Sequence, residues 1–173
     1  MLWTRIMLIG ALASCSASAP PPRANASSIA APSAPFESYE SFSFGLADQP
    51  GPGYQVTARS LEVQRRLQLL VQAELQERGY VQNPAKGDFI VKLVTGTGMP
   101  PNPAAERTAG PGPARGFIGV DVYDAVSGSM VWKGTAFAEI DPATIDDALL
   151  QMGVDHMLAS FPANPSQPTA KAQ

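Results

Sequence analysis

The sequence predicts an α+β domain, a two-layer sandwich in which two helices cover one face of a mainly antiparallel sheet of about four strands. Two segments, at about residues 60–78 and 141–161, carry a single apolar stripe at helical spacing. Three segments, near residues 89–96, 116–124 and 130–140, show the apolar and β-branched content of strands. Because a one-sided stripe must be buried against another element, both helices are expected on the same face, in the order β-α-β-β-β-α.

The first strand and the first helix are bounded by local signals. Residues Phe36 to Phe44 are rich in aromatic side chains, which favours a strand. The helix that follows is expected to begin at Ser60, whose hydroxyl can cap the first turn, and to end at Arg78. Gly79 then stands where helices commonly end in the left-handed conformation.

Glu74 lies inside the apolar stripe of this helix. Its side chain can bend out into water, as charged side chains at the end of an apolar stripe do. Alternatively, it is a partly buried carboxylate paired with a lysine of the sheet, such as Lys92 or Lys133. The sequence leaves both alternatives open.

The clearest local signal is a hairpin. Residues Gly116 to Asp124 place alternate apolar residues on one face, and Met130 to Ile140 returns as the partner strand. The turn between them starts on an aspartate, Asp124, and ends on Gly128. Gly134, in the middle of the second strand, indicates a bulge or the close approach of a neighbouring group.

The last helix is expected to begin with Asp141 as its cap and Pro142 in the first helical position. Asp146 and Asp147 suit the positive end of the helix dipole. Pro162 ends the helix, because proline cannot continue it.

The segment 96–115 contains five prolines and four glycines, so no regular element is expected there. Loops of this length are commonly either disordered or functional. It is either a passive insertion or an arm that docks on a partner protein. Its glycines do not form a phosphate site, because the following helix and lysine of such a motif are missing.

The amino terminus has the three parts of a secretory signal. Arg5 and the free amino group supply positive charge, and Ile6 to Ala13 supply an apolar run far shorter than the ~20 residues of a membrane-spanning helix. The run closes on Leu12, Ala13, Ser14 and Cys15, and Cys15 is the only cysteine of the chain. Bacterial lipoprotein signals end in this way, although an ordinary signal peptide cut near Ala17 or Ala19 remains an alternative.

The lipoprotein interpretation makes Cys15 the first mature residue, carrying a diacylglycerol through a thioether and an amide-linked acyl chain. Several acyl chains together make anchoring effectively permanent. The residue after the cysteine is Ser16. Serine there permits export to the outer membrane, whereas aspartate favours retention in the inner membrane. The sequence therefore predicts a lipid-anchored outer-membrane protein that faces the periplasm.

Charge and cysteine content exclude several classes of function. Loss of Arg5 with the signal leaves 11 basic against 15 acidic residues, a net charge near −4. A nucleic-acid partner is not expected, because phosphate binding needs a clustered positive surface. No disulfide can form within the chain. No cofactor motif is present, and no cofactor is expected.

The chain is expected to divide into four parts. Residues 1–14 are the signal peptide, and residues 15–35 are the lipidated cysteine followed by a disordered, proline-rich tether. The α+β domain occupies residues 36–162. Residues 163–173 are expected to be a disordered tail.

Short motifs, in this order, carry a resemblance to a known family. They are Phe36-Glu37-Ser38-Tyr39-Glu40-Ser41-Phe42, Glu77-Arg78-Gly79-Tyr80, Asp88-Phe89, Val120-Asp121-Val122-Tyr123-Asp124, Ser127-Gly128, Val131-Trp132-Lys133-Gly134 and Phe161-Pro162. Over roughly residues 36–162 the chain resembles an envelope-lipoprotein family catalogued as domain of unknown function 4136. The family commonly has a second proline after the closing Phe-Pro, where this chain has Ala163.

The resemblance implies a fold and a cellular location but no mechanism, because the family has no established activity. It implies structural roles for eight motif positions. These positions are Gly79, Tyr80, Asp88, Asp121, Asp124, Gly128, Trp132 and Gly134.

Catalytic and metal chemistry is not expected from the residues. His156 is the only histidine, too few for a metal site of histidine and cysteine ligands, and no triad motif accompanies it. Asp121 and Asp124 could form a carboxylate pair, but Asp124 is the natural start of the hairpin turn. Trp132 is expected to pack in the core or on the sheet and not to bind a sugar.

Two functional interpretations remain. The first is a non-catalytic lipoprotein that binds a periplasmic protein or an envelope polymer. The second is an envelope hydrolase with an unrecognised carboxylate site. They differ in whether Asp121, Asp124 and Glu74 meet in one cleft.

Overall fold

The computed structural model describes residues 24–98, 114–140 and 145–166. Within these ranges the chain forms seven strands, two α-helices and a short 3₁₀ helix at Phe36–Ser38. In chain order the strands and α-helices are β1 Ala24–Ala30, β2 Ser41–Phe44, β3 Tyr54–Gln55, α1 Ala58–Glu77, β4 Val81–Gln82, β5 Phe89–Gly98, β6 Arg115–Asp124, β7 Met130–Glu139 and α2 Asp147–Leu158.

All seven strands belong to one mixed sheet with the spatial order β1-β7-β6-β5-β2-β4, and β3 pairs with the end of β5. The three long strands β5, β6 and β7 are antiparallel neighbours, and the pairing of β6 with β7 confirms the predicted hairpin. β2 runs parallel to both of its neighbours, β4 and β5. The expectation of about four mainly antiparallel strands therefore understates the sheet and misses its parallel pairs.

Both helices lie on one face of the sheet, as predicted. Thr95, Ile118 and Ala136 are cross-strand neighbours on β5, β6 and β7, so their side chains share a face. The Thr95 hydroxyl donates to the Ser60 carbonyl of α1 at 3.0 Å. A Cβ at Gly153 of α2 would lie 3.2 Å from Ile118 and 3.6 Å from Ala136. We call this the helix face and the opposite side the outer face.

Strand β1 corrects the expectation that residues 15–35 form a disordered tether, in the part that the structure describes. Ala24–Ala30 pairs along its length with β7 in antiparallel register. The sequence analysis excluded structure here because the side chains are small and polar. That property is what the position requires, since α2 packs against β1 and the Ser28 hydroxyl lies 2.6 Å from the Ser160 hydroxyl just beyond α2.

The predicted strand at Phe36 to Phe44 is correct only in its second half. Phe36–Ser38 is a 3₁₀ helix, and β2 begins at Ser41. The reason is a side chain: the Asp88 carboxylate accepts hydrogen bonds from the backbone of Glu40 at 3.0 Å and of Ser41 at 2.8 Å. These amides, just before and at the start of β2, are therefore satisfied by a side chain and not by a neighbouring strand.

The bounds of α1 differ from the prediction by a few residues. The cap is Thr57, and Ser60 lies three residues further on as the second half of a reciprocal capping box. The Thr57 hydroxyl accepts from the Ser60 amide at 3.1 Å, and the Ser60 hydroxyl accepts from the Thr57 amide at 3.2 Å. Gly79 has φ +88°, which confirms the left-handed conformation predicted for the glycine that follows the helix.

The start of α2 also corrects the prediction. The helix begins at Asp147, and the Asp146 carboxylate caps it by accepting from the Leu149 amide at 3.0 Å. Asp141 and Pro142, the expected start, lie outside the described residues. The helix ends at Leu158, four residues before Pro162.

The expected disordered tail and proline-rich loop are partly wrong where the structure describes them. Asn164 is buried. Its backbone amide donates to the Arg78 carbonyl at 2.9 Å, and its side-chain amide donates to the Gly79 carbonyl at 3.0 Å. Within the segment 96–115, the residues up to Gly98 extend β5, and Arg115 begins β6. Residues 99–113 lie outside the described residues.

Gly134 provides the space that the core tryptophan occupies. Trp132 is buried, and its ring packs edge-on against Phe161 with 5.1 Å between centroids. A Cβ at Gly134 would lie 2.2 Å from the Trp132 ring and 2.4 Å from Met157. The sequence signal for close approach at Gly134 is therefore confirmed, and so is the core position of Trp132.

We predict that Gly134→Ala lowers the free energy of unfolding by about 1–3 kcal/mol, because the added methyl overpacks the core between Trp132 and Met157. Urea unfolding followed by Trp132 fluorescence measures the loss. Gly51→Ala is the matched control, since nothing lies within 4 Å of its added Cβ. Equal stability of the two variants would contradict the packing role of Gly134.

Candidate functional site

The predicted anchor lies outside the described residues. Leu12, Ala13, Ser14 and Cys15 all fall within residues 1–23, so lipidation at Cys15 stays a prediction. Within the described ranges, neither helix combines the length and the apolar character needed to cross a bilayer.

Asp121 lies on the outer face of the sheet, between lysines of both neighbouring strands. The register pairs it with Lys92 on β5 and with Lys133 on β7. Its side chain is only 6% exposed, and the Lys133 ammonium lies 3.0 Å from Oδ1 and 3.1 Å from Oδ2. The ion pair neutralises a nearly buried carboxylate, and removal of Lys133 would leave that charge buried without its partner.

The second lysine of this row holds a loop against the outer face. The Lys92 ammonium donates to Asp48 at 3.2 Å and lies 4.6 Å from the centre of the Tyr123 ring. The Tyr123 hydroxyl donates to the other Asp48 oxygen at 3.3 Å. Burial, and then the carboxylates of Asp121 and Asp48, raise the pKa of Tyr123. Each charge of this cluster therefore has an internal partner.

Asp124 lies on the opposite side of the same strand. It is three residues from Asp121, and in an extended strand an odd spacing places two side chains on opposite faces. Its carboxylate accepts from the amides of Val126 at 3.1 Å and Ser127 at 2.6 Å, and from the Tyr39 hydroxyl at 2.8 Å. The hydrogen bonds from Ser127 and Tyr39 lower the pKa of Asp124 to about 2.

Asp88 has a similar structural role close by. Burial raises its pKa, but hydrogen bonds from Glu40 and Ser41 outweigh burial and hold the pKa below its ordinary value. Tyr39 lies near both carboxylates, and burial together with the bond to Asp124 raises the pKa of its phenol. Asp88 and Asp124 thus fix the chain around β2 and the hairpin turn.

Glu74 is a partly buried carboxylate, but its partner is not a sheet lysine. Its side chain is 15% exposed and forms an ion pair with Arg78, one turn further along α1. Arg78 also donates to the Leu158 carbonyl at the end of α2, at 2.8 Å. The alternative in which Glu74 pairs with Lys92 or Lys133 is wrong, because both lysines lie on the outer face, away from α1.

The three carboxylates therefore do not meet in one cleft. Asp121 is on the outer face, Asp124 is at the hairpin turn on the helix side, and Glu74 is on α1. Each has a different partner. Among the described residues, no group of three or more histidine, cysteine, aspartate or glutamate side chains is arranged to hold a metal ion.

The remaining residues named from the sequence have structural positions. Tyr80 is buried, its hydroxyl donates to the Pro162 carbonyl at 3.2 Å, and burial raises its pKa to about 12. Gly128 has φ +69° in the hairpin turn, a conformation that glycine adopts without strain. His156 is exposed in the last turn of α2.

The feature that sequence reasoning missed is a cavity of about 230 Å³ between the helices and the sheet. It lies at the amino ends of α1 and α2. There the first turns of both helices approach the end of β5, the start of β6 and the end of β7. Its walls are largely apolar and include Val63, Ile118, Ala136, Leu149 and Leu150. No motif marks it, because its residues come from six separate elements and are ordinary core types. Pockets with such walls are the usual form of a small-molecule site.

The sequence analysis also missed an ion pair, although the sequence contained a signal for it. Asp121 and Lys133 are equally spaced about a hairpin turn centred near residue 127, so the predicted turn already implied their pairing. The pairs of Lys92 with Asp48 and of Tyr39 with Asp124 had no such signal, since 44 and 85 residues separate the partners.

The lowered pKa of Asp124 predicts a loss of stability in acid. A carboxylate whose pKa falls from 3.8 to about 2 on folding stabilises the fold above the higher value, and this contribution is lost as the pH falls towards the lower one. Asp124→Asn keeps an acceptor for the turn amides but removes the charge. We expect the wild-type protein to have the larger free energy of unfolding near neutral pH and the difference to shrink as the pH falls to about 2.

Urea unfolding over this pH range measures the difference. Asp88 also has a lowered pKa, so the comparison with Asp124→Asn is needed to isolate Asp124. Tyr39→Phe, which removes one donor to the carboxylate, should retain part of the pH dependence. A stability difference that does not change with pH would contradict the assignment.

Solved structures with this fold have low sequence identity. A PDZ domain protein from Parabacteroides distasonis has a TM-score of 0.59 and 12% identity, over 86% of this chain and 38% of the other. This chain therefore spans well under half the length of that protein. PelC from Paraburkholderia phytofirmans, solved as a dodecamer, has a TM-score of 0.53 and 11% identity, over 82% of this chain and 100% of the other. At these identities the likeness shows the fold alone.

The sequence comparisons identify the family. No curated protein sequence matches the chain. Residues 27–163 match a family described as "Domain of unknown function (DUF4136)", a span that takes in part of β1 as well as the domain expected from residue 36. Because the match covers most of the sequence, the chain belongs to the DUF4136 family.

Proposed function

We propose that the protein is a lipid-anchored lipoprotein of the cell envelope, facing the periplasm from the outer membrane, with a non-catalytic binding or structural role. The observation that carries the proposal is the run Leu12-Ala13-Ser14-Cys15 at the end of a short apolar segment, with no other cysteine in the chain. Its position and residue types are those of a lipid attachment site.

The structure supports a short connection between anchor and domain. β1 starts at Ala24, nine residues after Cys15, whereas the sequence analysis allowed for a tether that lasted to residue 35. Nine residues span at most about 30 Å. A domain held at that distance works next to the membrane surface, which suits a component of the envelope.

The arrangement of the carboxylates supports a binding or structural role over hydrolysis. Paired carboxylates in glycoside hydrolysis must flank one bond, about 5–9.5 Å apart, with a free path to substrate. Asp121 and Asp124 point to opposite sides of β6, and Glu74 is held by Arg78 on α1. No pair of these groups meets the requirement, and no observation favours the hydrolase alternative.

One structural neighbour supports a role in assembly. PelC, which shares the fold, was solved as a dodecamer. β1 is an edge strand with an open backbone on one side, and Ile29 on it is 75% exposed on the outer face. Assembly into a larger envelope structure is therefore part of the proposed role.

We predict that Cys15→Ser abolishes labelling of the protein by radioactive palmitate, because the thiol that accepts the lipid is removed. Labelling in growing cells, followed by purification through a carboxyl-terminal tag, measures the effect. Ser18→Ala, three residues away, is the matched control and should be labelled like the wild-type protein. A wild-type protein that takes up no label would contradict the proposal.

We predict that Ser16→Asp moves most of the protein to the inner membrane, because aspartate after the lipidated cysteine favours retention there. Separation of the two membranes on a density gradient, with detection of the tag, measures the distribution. Ser16→Ala should remain in the outer membrane. Recovery of the wild-type protein in the inner-membrane fraction would contradict the location but not the lipidation.

A further inference from the structure

We propose that the cavity between the helices and the sheet binds an alkyl chain, and that its occupant is an acyl chain of the lipid carried by Cys15 of the same molecule. This inference rests on the proposed function, since it requires a lipid on Cys15. It adds a binding site to the anchor and gives the domain a fixed attachment to its own lipid.

The size of the cavity suits an apolar group. A cavity of about 150 Å³ lined by aliphatic and aromatic side chains stays dry and binds benzene. This cavity measures about 230 Å³, so it has room for a longer aliphatic segment. Gly116 and Gly153 line the cavity without side chains, and the Cβ that each lacks would point at other lining residues, Ile140 and Ile118 respectively.

Two polar side chains of the walls, Thr95 and Ser60, already have partners. The Thr95 hydroxyl donates to the Ser60 carbonyl at 3.0 Å, and the Ser60 hydroxyl is bound to Thr57 in the capping box of α1. Much of the remaining wall presents hydrocarbon, from residues such as Val63, Ile118 and Leu150. A ligand with hydrogen-bonding groups would leave those groups unsatisfied in the interior, whereas an alkyl chain has none.

The charges that line the cavity favour a neutral head group. Glu139 and Asp146 are exposed lining residues, and Arg59 is the lining cation. Two carboxylates against one guanidinium give a net negative surface there. An anionic phosphate head group would be repelled, whereas the thioether, ester and amide groups of a lipidated cysteine carry no phosphate charge.

The path of the chain brings the acyl group to the site. Ala24 lines the cavity and is also the first residue of β1, so the segment from Cys15 arrives there directly. With at most about 30 Å of chain between them, the lipid can reach the cavity. A linker that spans the distance between two sites makes binding intramolecular and raises the effective concentration of the tethered group at the site.

The exchange of bilayer for cavity costs an alkyl chain little, because lipid tails and aliphatic side chains are similarly apolar. The head group and the path of the chain therefore decide which acyl chain fills the cavity. The chain on Cys15 carries no phosphate and is delivered at the Ala24 end of the cavity, whereas a phospholipid must bring its phosphate to a net negative surface. This difference is the reason for choosing the protein's own lipid as the occupant.

Photocrosslinking in cells tests the proposal on the full-length protein. A diazirine-bearing amino acid replaces Val63, a half-buried cavity residue on α1. The same amino acid in place of Leu69, which is 67% exposed on the same helix, is the matched control. After irradiation and proteolysis, mass spectrometry identifies what is joined to the peptide that contains residue 63.

We expect the peptide with residue 63 to be joined to the amino-terminal lipopeptide through an acyl chain, and the peptide with residue 69 not to be. An adduct with a phospholipid would overturn the choice of occupant, and the absence of any lipid adduct at residue 63 would overturn the site. The mass of the free amino-terminal peptide reports lipidation of Cys15 separately. An unlipidated Cys15 would overturn both this inference and the proposed function, whereas a lipidated Cys15 without the crosslink would overturn this inference alone.

A second variant separates binding from folding. Ala138 lines the cavity on the helix face and is half-buried, so Ala138→Phe places a ring in the empty space. We expect it to abolish the crosslink at residue 63 while the midpoint of thermal unfolding stays at or above that of the parent. A crosslink of unchanged yield in this filled variant would show that the acyl chain lies elsewhere.

Discussion

The aromatic side chain of Phe89 is the contact on which the assembly of the domain depends. Its ring lies 5.2–6.0 Å from the rings of Tyr39, Phe42, Tyr80 and Phe161. These residues come from the segments around β2, after α1 and after α2, so one buried ring on β5 joins parts of the chain that are far apart in sequence. Edge-to-face and offset aromatic pairs add specific geometry to the burial of apolar area.

The polar contacts around this cluster orient the chain. Asp88 holds the start of β2, Asp124 holds the hairpin turn and Tyr39, and Arg78 joins the carboxyl ends of both helices. The two acidic motif residues of the hairpin strand therefore make their contacts on opposite faces of the sheet. Asp124 binds towards the helix side and Asp121 pairs with Lys133 on the outer face. This division is why Asp121 and Asp124 do not form a carboxylate pair.

The two ends of the domain differ in packing. The end with the aromatic cluster and the hairpin turn is filled by large rings, with Gly134 making room for Trp132. The other end, at the start of both helices, is lined by small and aliphatic side chains and encloses the cavity. The segment from the predicted anchor enters at this second end, through Ala24. The tightly packed part of the core and the cavity thus lie at opposite ends of the domain.

The sequence by itself determined the elements whose signals are local. The stripe of α1, the glycine at residue 79, the hairpin around Gly128 and the close approach at Gly134 could all be predicted, because each depends on spacing or backbone conformation within a few residues. The anchor at Cys15 is likewise a local prediction.

Only the tertiary structure decided what depends on contacts between distant residues. The sequence of β1 indicated a tether, because its small residues have no apolar pattern. In the structure β1 pairs with β7 and packs against α2. The parallel pairing of β2, the partner of Glu74 and the cavity were equally absent from the local pattern. Long-range pairing depends on which surfaces meet after the chain has folded, and a pattern of neighbouring residues does not contain that information.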